Sequence, residues 1–178
     1  MVRKALFLDR DGVVNVDHAY VYKRDNFEFI EGVFDLVSAA HHAGYLVIVV
    51  TNQSGIGRGY FKEADFIQLM DWVSEQFVMH GGKIDKTYFC PDHPVHGIGE
   101  YRRDSGCRKP APGMLLQATR EFDIDMKHSL MVGDKPSDMA AAESAEVGSR
   151  LLFSSSEKSC SHATAVINDL SQVIPYLL

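Results

Sequence analysis

The chain has 178 residues, with 18 Lys and Arg against 24 Asp and Glu and a formal net charge of −6 at pH 7. That length suits one domain with a core of its own, spanning residues 1–178. A 46% hydrophobic and 24% charged composition excludes wholesale disorder. The acidic balance argues against nucleic acid or an anionic membrane as partner. No apolar run is long enough to span a bilayer, and the start MVRKALFLDRDG turns charged again at Asp9, too soon for a signal-peptide core. A cytoplasmic location and a monomer are the expectations. Cys90, Cys107 and Cys160 are few and odd in number, which fits reduced thiols better than a disulfide framework.

Taken in chain order, Lys4–Leu8 reads as a short buried strand that runs straight into Asp9 and Asp11. Acids so close repel, and burying either is costly unless positive charge compensates. A helix over 33–43 ends at Gly44, and Tyr45–Val50 is a second strand with Thr51, Asn52 and Gln53 directly after it. SGIGRGY has glycine at 55, 57 and 59 but Tyr60 where the G-x-G-x-x-G dinucleotide fingerprint needs its last glycine, so it reads as a flexible substrate loop. A long helix over 62–80 carries Phe66, Trp72 and Phe77 as expected core residues. Lys86–Cys90 is the third strand, and the unpatterned stretch 91–110 leads to Arg108 and Lys109. A helix over 112–122, a strand over 129–132, the acids of GDKPSD, a helix over 137–145 and a strand over 150–153 complete the alternation. FSSSEKSCSHA is a solvated loop before a last helix over 168–177, which Pro175 would break late.

Strand–helix alternation of this kind predicts an α/β fold, a Rossmann-like parallel sheet with helices on both faces. Ligands then sit beyond the carboxyl ends of the strands. Beyond those ends come Asp9 and Asp11, then Thr51 to Gln53, then Lys109, then Asp134, Lys135 and Asp138. Acids, a hydroxyl and amines at one edge suit a divalent metal and a phosphoryl group. A carboxylate can attack phosphorus to form an acyl-phosphate, and a second carboxylic acid can protonate the leaving alkoxide and then activate water. Mg²⁺ would bridge phosphate and carboxylates, while a lysine and a hydroxyl neutralise the transferring oxygens.

FLDRDGVVN, VVTNQSGIGRG, CRKPAPGM and MVGDKPSDM resemble, in order and spacing, the four motifs of the haloacid dehalogenase (HAD) superfamily of aspartate-nucleophile phosphatases. More narrowly they are similar to the D-glycero-D-manno-heptose 1,7-bisphosphate phosphatases, with the histidinol-phosphate phosphatases as close cousins. The similarity runs from about Arg3 to Phe153. The resemblance implies a capless HAD-like domain, Mg²⁺ as cofactor, a small sugar phosphate as substrate and a role in heptose supply for surface polysaccharide. It implies Asp9 as nucleophile and metal ligand, and Asp11 as general acid/base that also binds metal through its backbone carbonyl. Thr51 and Asn52 would bind the transferring phosphate, Gln53 would line the same substrate-binding loop, and Lys109 would neutralise the phosphate. Asp134 is the acidic metal ligand, and Asp138 could orient a metal-bound water. Arg58, Arg108 and Lys135 would grip a second phosphate.

Relatives of this kind often carry structural zinc in the loop before CRKP, on a Cys-x-His pair and a Cys-x-Cys pair. Here Cys90 and Cys107 are present, but Asp92 and Ser105 stand at the other two positions. A substitute set for Zn²⁺ would be Cys90, His93, His96 and Cys107. Without zinc, packing and hydrogen bonds must hold the loop. Two other classes compete. A phosphoacceptor receiver domain has an adjacent acid pair, whereas Asp9 and Asp11 alternate. A dinucleotide-binding module fails at Tyr60, and a catalytically dead scaffold finds no support because every needed acid is present.

Overall fold

The computed structural model describes residues 1–178. Six strands, β1 (Ala5–Leu8), β2 (Leu46–Asn52), β3 (Lys86–Cys90), β4 (Leu130–Gly133), β5 (Ser149–Phe153) and β6 (Ala165–Ile167), form one sheet in the order β3-β2-β1-β4-β5-β6. Every pairing is parallel, with Phe7 opposite Ile48 on one side and Met131 on the other. The α/β fold with a parallel sheet is therefore as expected. β6 is an addition to the expected strands, because three residues at the end of a Ser-rich loop carry too little pattern to read as one.

The strands read as unbroken apolar runs because both faces are covered. With side chains alternating across the sheet, Leu6, Leu8, Val47 and Val49 join the core under α1 (Val33–His42) and α3 (Glu63–Met79). Ala5, Phe7, Ile48, Val50 and Met131 join the core under α4 (Gly113–Phe122) and α5 (Pro136–Ser144). Phe66 and Phe77 are buried as expected, while Trp72 is half-buried at the edge of an aromatic cluster with Phe27 and Phe29. The C-terminal segment Leu170–Leu177 packs on α1 as a 3-10 helix, its start capped by the Asp169 carboxylate accepting from the Ser171 amide at 2.8 Å. Pro175 lies within it, where a missing N–H and a ring clash disfavour regular α-helix.

Two features position the site. β1 is flanked by β2 on one side and β4 on the other, so the strand order reverses there and its C-terminal end is the crevice where such sheets bind ligands. SGIG is the short helix α2 (Ser54–Gly57), with Gly55, Ile56 and Gly57 buried, and not a flexible loop. A side chain at Gly55 would collide with the Phe61 ring, and one at Gly57 would collide with the Pro91 carbonyl. Those glycines exist for close packing. No helix is long and apolar enough to cross a membrane.

Urea denaturation checks this core directly. Phe77→Ala, at a fully buried position, is expected to cost about 3–5 kcal/mol. Ile67→Ala, on the same helix but 49% exposed, is expected to change stability by less than about 0.5 kcal/mol.

Candidate active site

Asp9 lies directly after β1, and its amide donates to the Val132 carbonyl, so the sheet itself fixes its backbone. Lys109 reaches the same point from the long loop. Its ammonium donates to Asp9 Oδ1 and to the Val50 carbonyl, both at 2.9 Å, and lies 2.6 Å from Asp138 Oδ1. The Asn52 side chain holds the Lys109 backbone reciprocally, donating to its carbonyl at 3.1 Å and accepting from its amide at 3.0 Å. The amide of Asn52 is thereby engaged in placing Lys109. Asp138 also caps its own helix, accepting from the Lys135 amide at 3.1 Å. The sequence places Asp138 only one helical turn beyond Asp134 and carries no sign of its contact with Lys109.

Asp9, Asp134 and Asp138 form a cluster whose carboxylate oxygens lie within 4.8 Å of one another. Gly12, at φ +94°, permits this crowding. A side chain there would run into Asp134 Oδ2. Burial and the neighbouring Asp138 and Asp134 charges push the Asp9 carboxyl well above the usual carboxylate range, and Lys109 only partly offsets them. Burial likewise raises Asp134. Burial alone would depress the Lys109 ammonium, but the Asp9 and Asp138 carboxylates outweigh it and raise its pKa. Three carboxylates against one ammonium leave excess negative charge, and Asp134 Oδ1 is buried with no hydrogen-bond partner. Hard oxygen donors with uncompensated charge fit a divalent cation of the magnesium type.

Asp11 stands beside this cluster, partly exposed to the cleft. Its Oδ2 accepts from Gln53 Nε2 at 3.0 Å, and its Oδ1 accepts from Asn15 Nδ2 at 3.1 Å and Arg10 Nη2 at 2.7 Å. Thr51 is 1% exposed, with its hydroxyl accepting from Gln53 at 2.9 Å. The cleft above has a volume of about 580 Å³, and polar side chains dominate its lining. Arg58, Arg108 and Lys135 all line it, as do Asn52, Gln53 and Ser54, together with Asp17, Ala19 and Tyr20 from the loop after the first motif. Arg58, Arg108 and Lys135 take part in none of the ion pairs of the molecule. Burial and the nearby Arg58 charge lower the pKa of Arg108. A mouth lined by unpaired cations and a floor of acids around a lysine can hold a phosphate ester with a further anionic group.

The cysteines are not the three reduced thiols that their number suggests. Cys90 and Cys107 are joined in a disulfide, and only Cys160 is free. The long loop folds back so that Cys107 meets the end of β3, and loop closure of this kind restricts the unfolded chain. Nor do His93 and His96 join the sulfurs. His93 Nδ1 accepts from the Val95 and His96 amides at 3.1 and 3.0 Å, while Asp92 and Ser105 are the side chains beside the sulfurs. The Asp92 carboxylate is paired with Arg103 at 2.9 Å. With the sulfurs bonded to each other and Asp92 ion-paired, these residues do not fit a tetrahedral zinc site.

A parallel sheet with acids and a lysine gathered at its switch point defines a HAD-like phosphohydrolase. A HAD-hydrolase-like family model matches residues 106–173. A D-glycero-alpha-D-manno-heptose-1,7-bisphosphate 7-phosphatase of Burkholderia mallei is 51% identical over 179 residues, covering 99% of this chain and 95% of its own. A D-glycero-beta-D-manno-heptose-1,7-bisphosphate 7-phosphatase of Vibrio cholerae is 48% identical over 182 residues, covering 100% and 98%. Among solved structures, D,D-heptose 1,7-bisphosphate phosphatase from B. bronchiseptica, complexed with magnesium and phosphate, superposes with a TM-score of 0.85 at 31% identity, over 98% of this chain and 97% of that one. The chain belongs to the D-glycero-D-manno-heptose-1,7-bisphosphate 7-phosphatase family.

The site makes two measurements informative. Denatured, unreduced protein is expected to show one reactive thiol in a colorimetric titration, rising to three after reduction. The raised carboxylates also set a sign for stability. The cost of ionising Asp9 and Asp134 in the fold is absent below the ordinary value of 3.8 and grows as pH rises toward their folded values. Lys109 is raised as well, so its stabilising contribution is complete below the ordinary lysine value of 10.5 and does not change across this range. Metal-free protein is thus expected to lose melting temperature, by calorimetry, as pH rises from the acid range to neutrality. Added Mg²⁺ restores more at neutral than at acid pH, and Asp134→Asn shrinks both effects.

Proposed function

We propose that this chain, acting as a monomer of one catalytic domain, is a Mg²⁺-dependent phosphatase that removes the C7 phosphate of D-glycero-D-manno-heptose 1,7-bisphosphate. The observation that carries the reading is the buried Asp9–Lys109 pair beneath a cleft whose rim offers three unpaired cations. A sugar bisphosphate presents one phosphate to the floor and a second to the rim. The names of the relatives support the same substrate, and they divide between its alpha and beta anomers.

Each group then has one role. Asp9 attacks phosphorus, the bond to the sugar oxygen breaks, and an aspartyl-phosphate forms. Asp11 gives its proton to the leaving alkoxide, then takes one from the water that hydrolyses the acyl-phosphate, restoring Asp9 and releasing inorganic phosphate. Lys109 neutralises the transferring oxygens and holds the unreacted Asp9 in place. Arg58, Arg108 and Lys135 bind the distal phosphate, Arg108 and Arg58 as planar forks. Asn52 and Gln53 line the inner wall, with Gln53 tying the buried Thr51 hydroxyl to Asp11. Mg²⁺ would be held by Asp9, Asp134 and the Asp11 main-chain carbonyl, and supplies relief of the repulsion between phosphate and carboxylates.

Phosphate release from both heptose bisphosphate anomers, histidinol phosphate and fructose 1,6-bisphosphate tests the proposal. Turnover of a heptose bisphosphate is expected to be best, abolished by EDTA, and lowered by on the order of 10³-fold or more in Asp9→Asn. Histidinol phosphate as best substrate would reassign the enzyme within the class. Absence of turnover on any of the four, with folded protein and Mg²⁺, would reject the phosphatase reading itself.

A further inference from the structure

Arg10 lies between the two acids of the first motif and has no part in the chemistry above. It is completely buried, with its guanidinium between the rings of Phe27 and Phe66 at 5.8 and 5.7 Å. A single nitrogen, Nη2, makes both of its polar contacts, 2.7 Å to Asp11 Oδ1 and 2.7 Å to the Val21 carbonyl. Nε and Nη1 have no partner. A buried charge with two unpaired nitrogens is a poor device for stability, since an apolar side chain of similar volume commonly serves as well or better. What the arginine does accomplish is geometric.

Its contacts join two things. One is the Asp11 carboxylate. Oδ1 takes donors from Arg10 and Asn15, whereas Oδ2 takes only Gln53, which leaves Oδ2 the oxygen with room for a proton. The other is the strap at the mouth of the cleft. Ala19 and Tyr20, both of which line the cleft, are consecutive non-glycine residues in the left-handed region, at φ 62° and 53°. Such backbone persists only where its surroundings enforce it. The Arg10 bond falls on the next residue, and the Asp17 carboxylate holds the other side by accepting from the Ala19 amide at 3.0 Å. The Tyr20 ring then stands edge-on to Tyr60 at 4.8 Å and beside the Arg58 guanidinium at 5.7 Å.

We infer that Arg10 is a positioning residue, which aims the Asp11 carboxylate at the leaving oxygen and locks the Ala19–Tyr20 strap to that same aim. The inference rests on the assignment of Asp11 as the acid that protonates the leaving group. It separates from a merely structural role through the leaving group. A sugar alkoxide needs a proton as the P–O bond breaks, while 4-nitrophenolate leaves without one. Since kcat/KM covers the steps through formation of the phosphoenzyme, mis-aiming the acid must harm the first substrate and spare the second.

The experiment compares kcat/KM on heptose bisphosphate and on 4-nitrophenyl phosphate for wild type, Arg10→Lys and Arg10→Met. Arg10→Lys keeps the charge but lacks the planar fork, so it serves even if Arg10→Met does not fold. The expected result is a loss of about 100-fold on the sugar ester with a change within about 3-fold on the aryl ester. In an Asp11→Asn background, Arg10→Lys should cost nothing further on the sugar ester. Equal losses on both substrates, or no loss on either, would overturn the inference. Should wild type cleave no heptose bisphosphate, the proposed function fails instead, and the same contrast is run with whichever alkyl phosphate it does cleave.

Discussion

The molecule is organised around one buried contact, the Lys109 ammonium between the carboxylates of Asp9 and Asp138. Asp9 lies 100 positions from Lys109 in the chain, and all three side chains lie almost wholly out of solvent. A charge so placed is strongly unfavourable alone, so the fold must bring its partner in from elsewhere. It does so with backbone bonds. The Val50 carbonyl receives the ammonium, and the Asn52 side chain clasps the Lys109 main chain. The loop over 91–110 is therefore a delivery arm that starts at the end of β3 and returns to the end of β2.

The remaining architecture serves that arm and the acids opposite it. The disulfide joins the arm's two ends one residue before Arg108, and the Asp92–Arg103 pair stiffens the turn between them. Glycine appears where atoms must approach closely. Gly12 lets Asp134 approach the first motif, and Gly57 lets α2 lie against the Pro91 carbonyl. Excess negative charge on the floor and unpaired positive charge at the rim oppose each other across the cleft. That polarity favours a ligand that carries a cation beneath one phosphate and a second anion above it.

Much of this is legible in the residues. Buried parallel strands announce themselves as apolar runs, so β1 to β5 can be placed within a residue or two, and Asp9, Asp11, Lys109 and Asp134 lie after them. The elements that escape are those without local pattern. β6 exists because Ala165–Ile167 can pair with β5. SGIG is a buried helical turn packed against Phe61 and Pro91, contacts that lie outside its own sequence. The disulfide is a contact between residues 17 apart, which cysteine counting cannot reveal.

The sequence by itself determined the fold class and the acids and lysine that lie beyond its strands. Short apolar runs alternating with helical periods admit few architectures, and carboxylates just beyond a buried strand have only the sheet edge to occupy. Tertiary structure alone decided which groups meet. It put Asp138 on Lys109, turned Asn52 toward the lysine backbone, kept His93 and His96 away from the sulfurs, and set Arg10 between Asp11 and the strap. Those outcomes depend on long-range packing and on the balance of buried charge, neither of which leaves a mark in the neighbouring residues of a single chain.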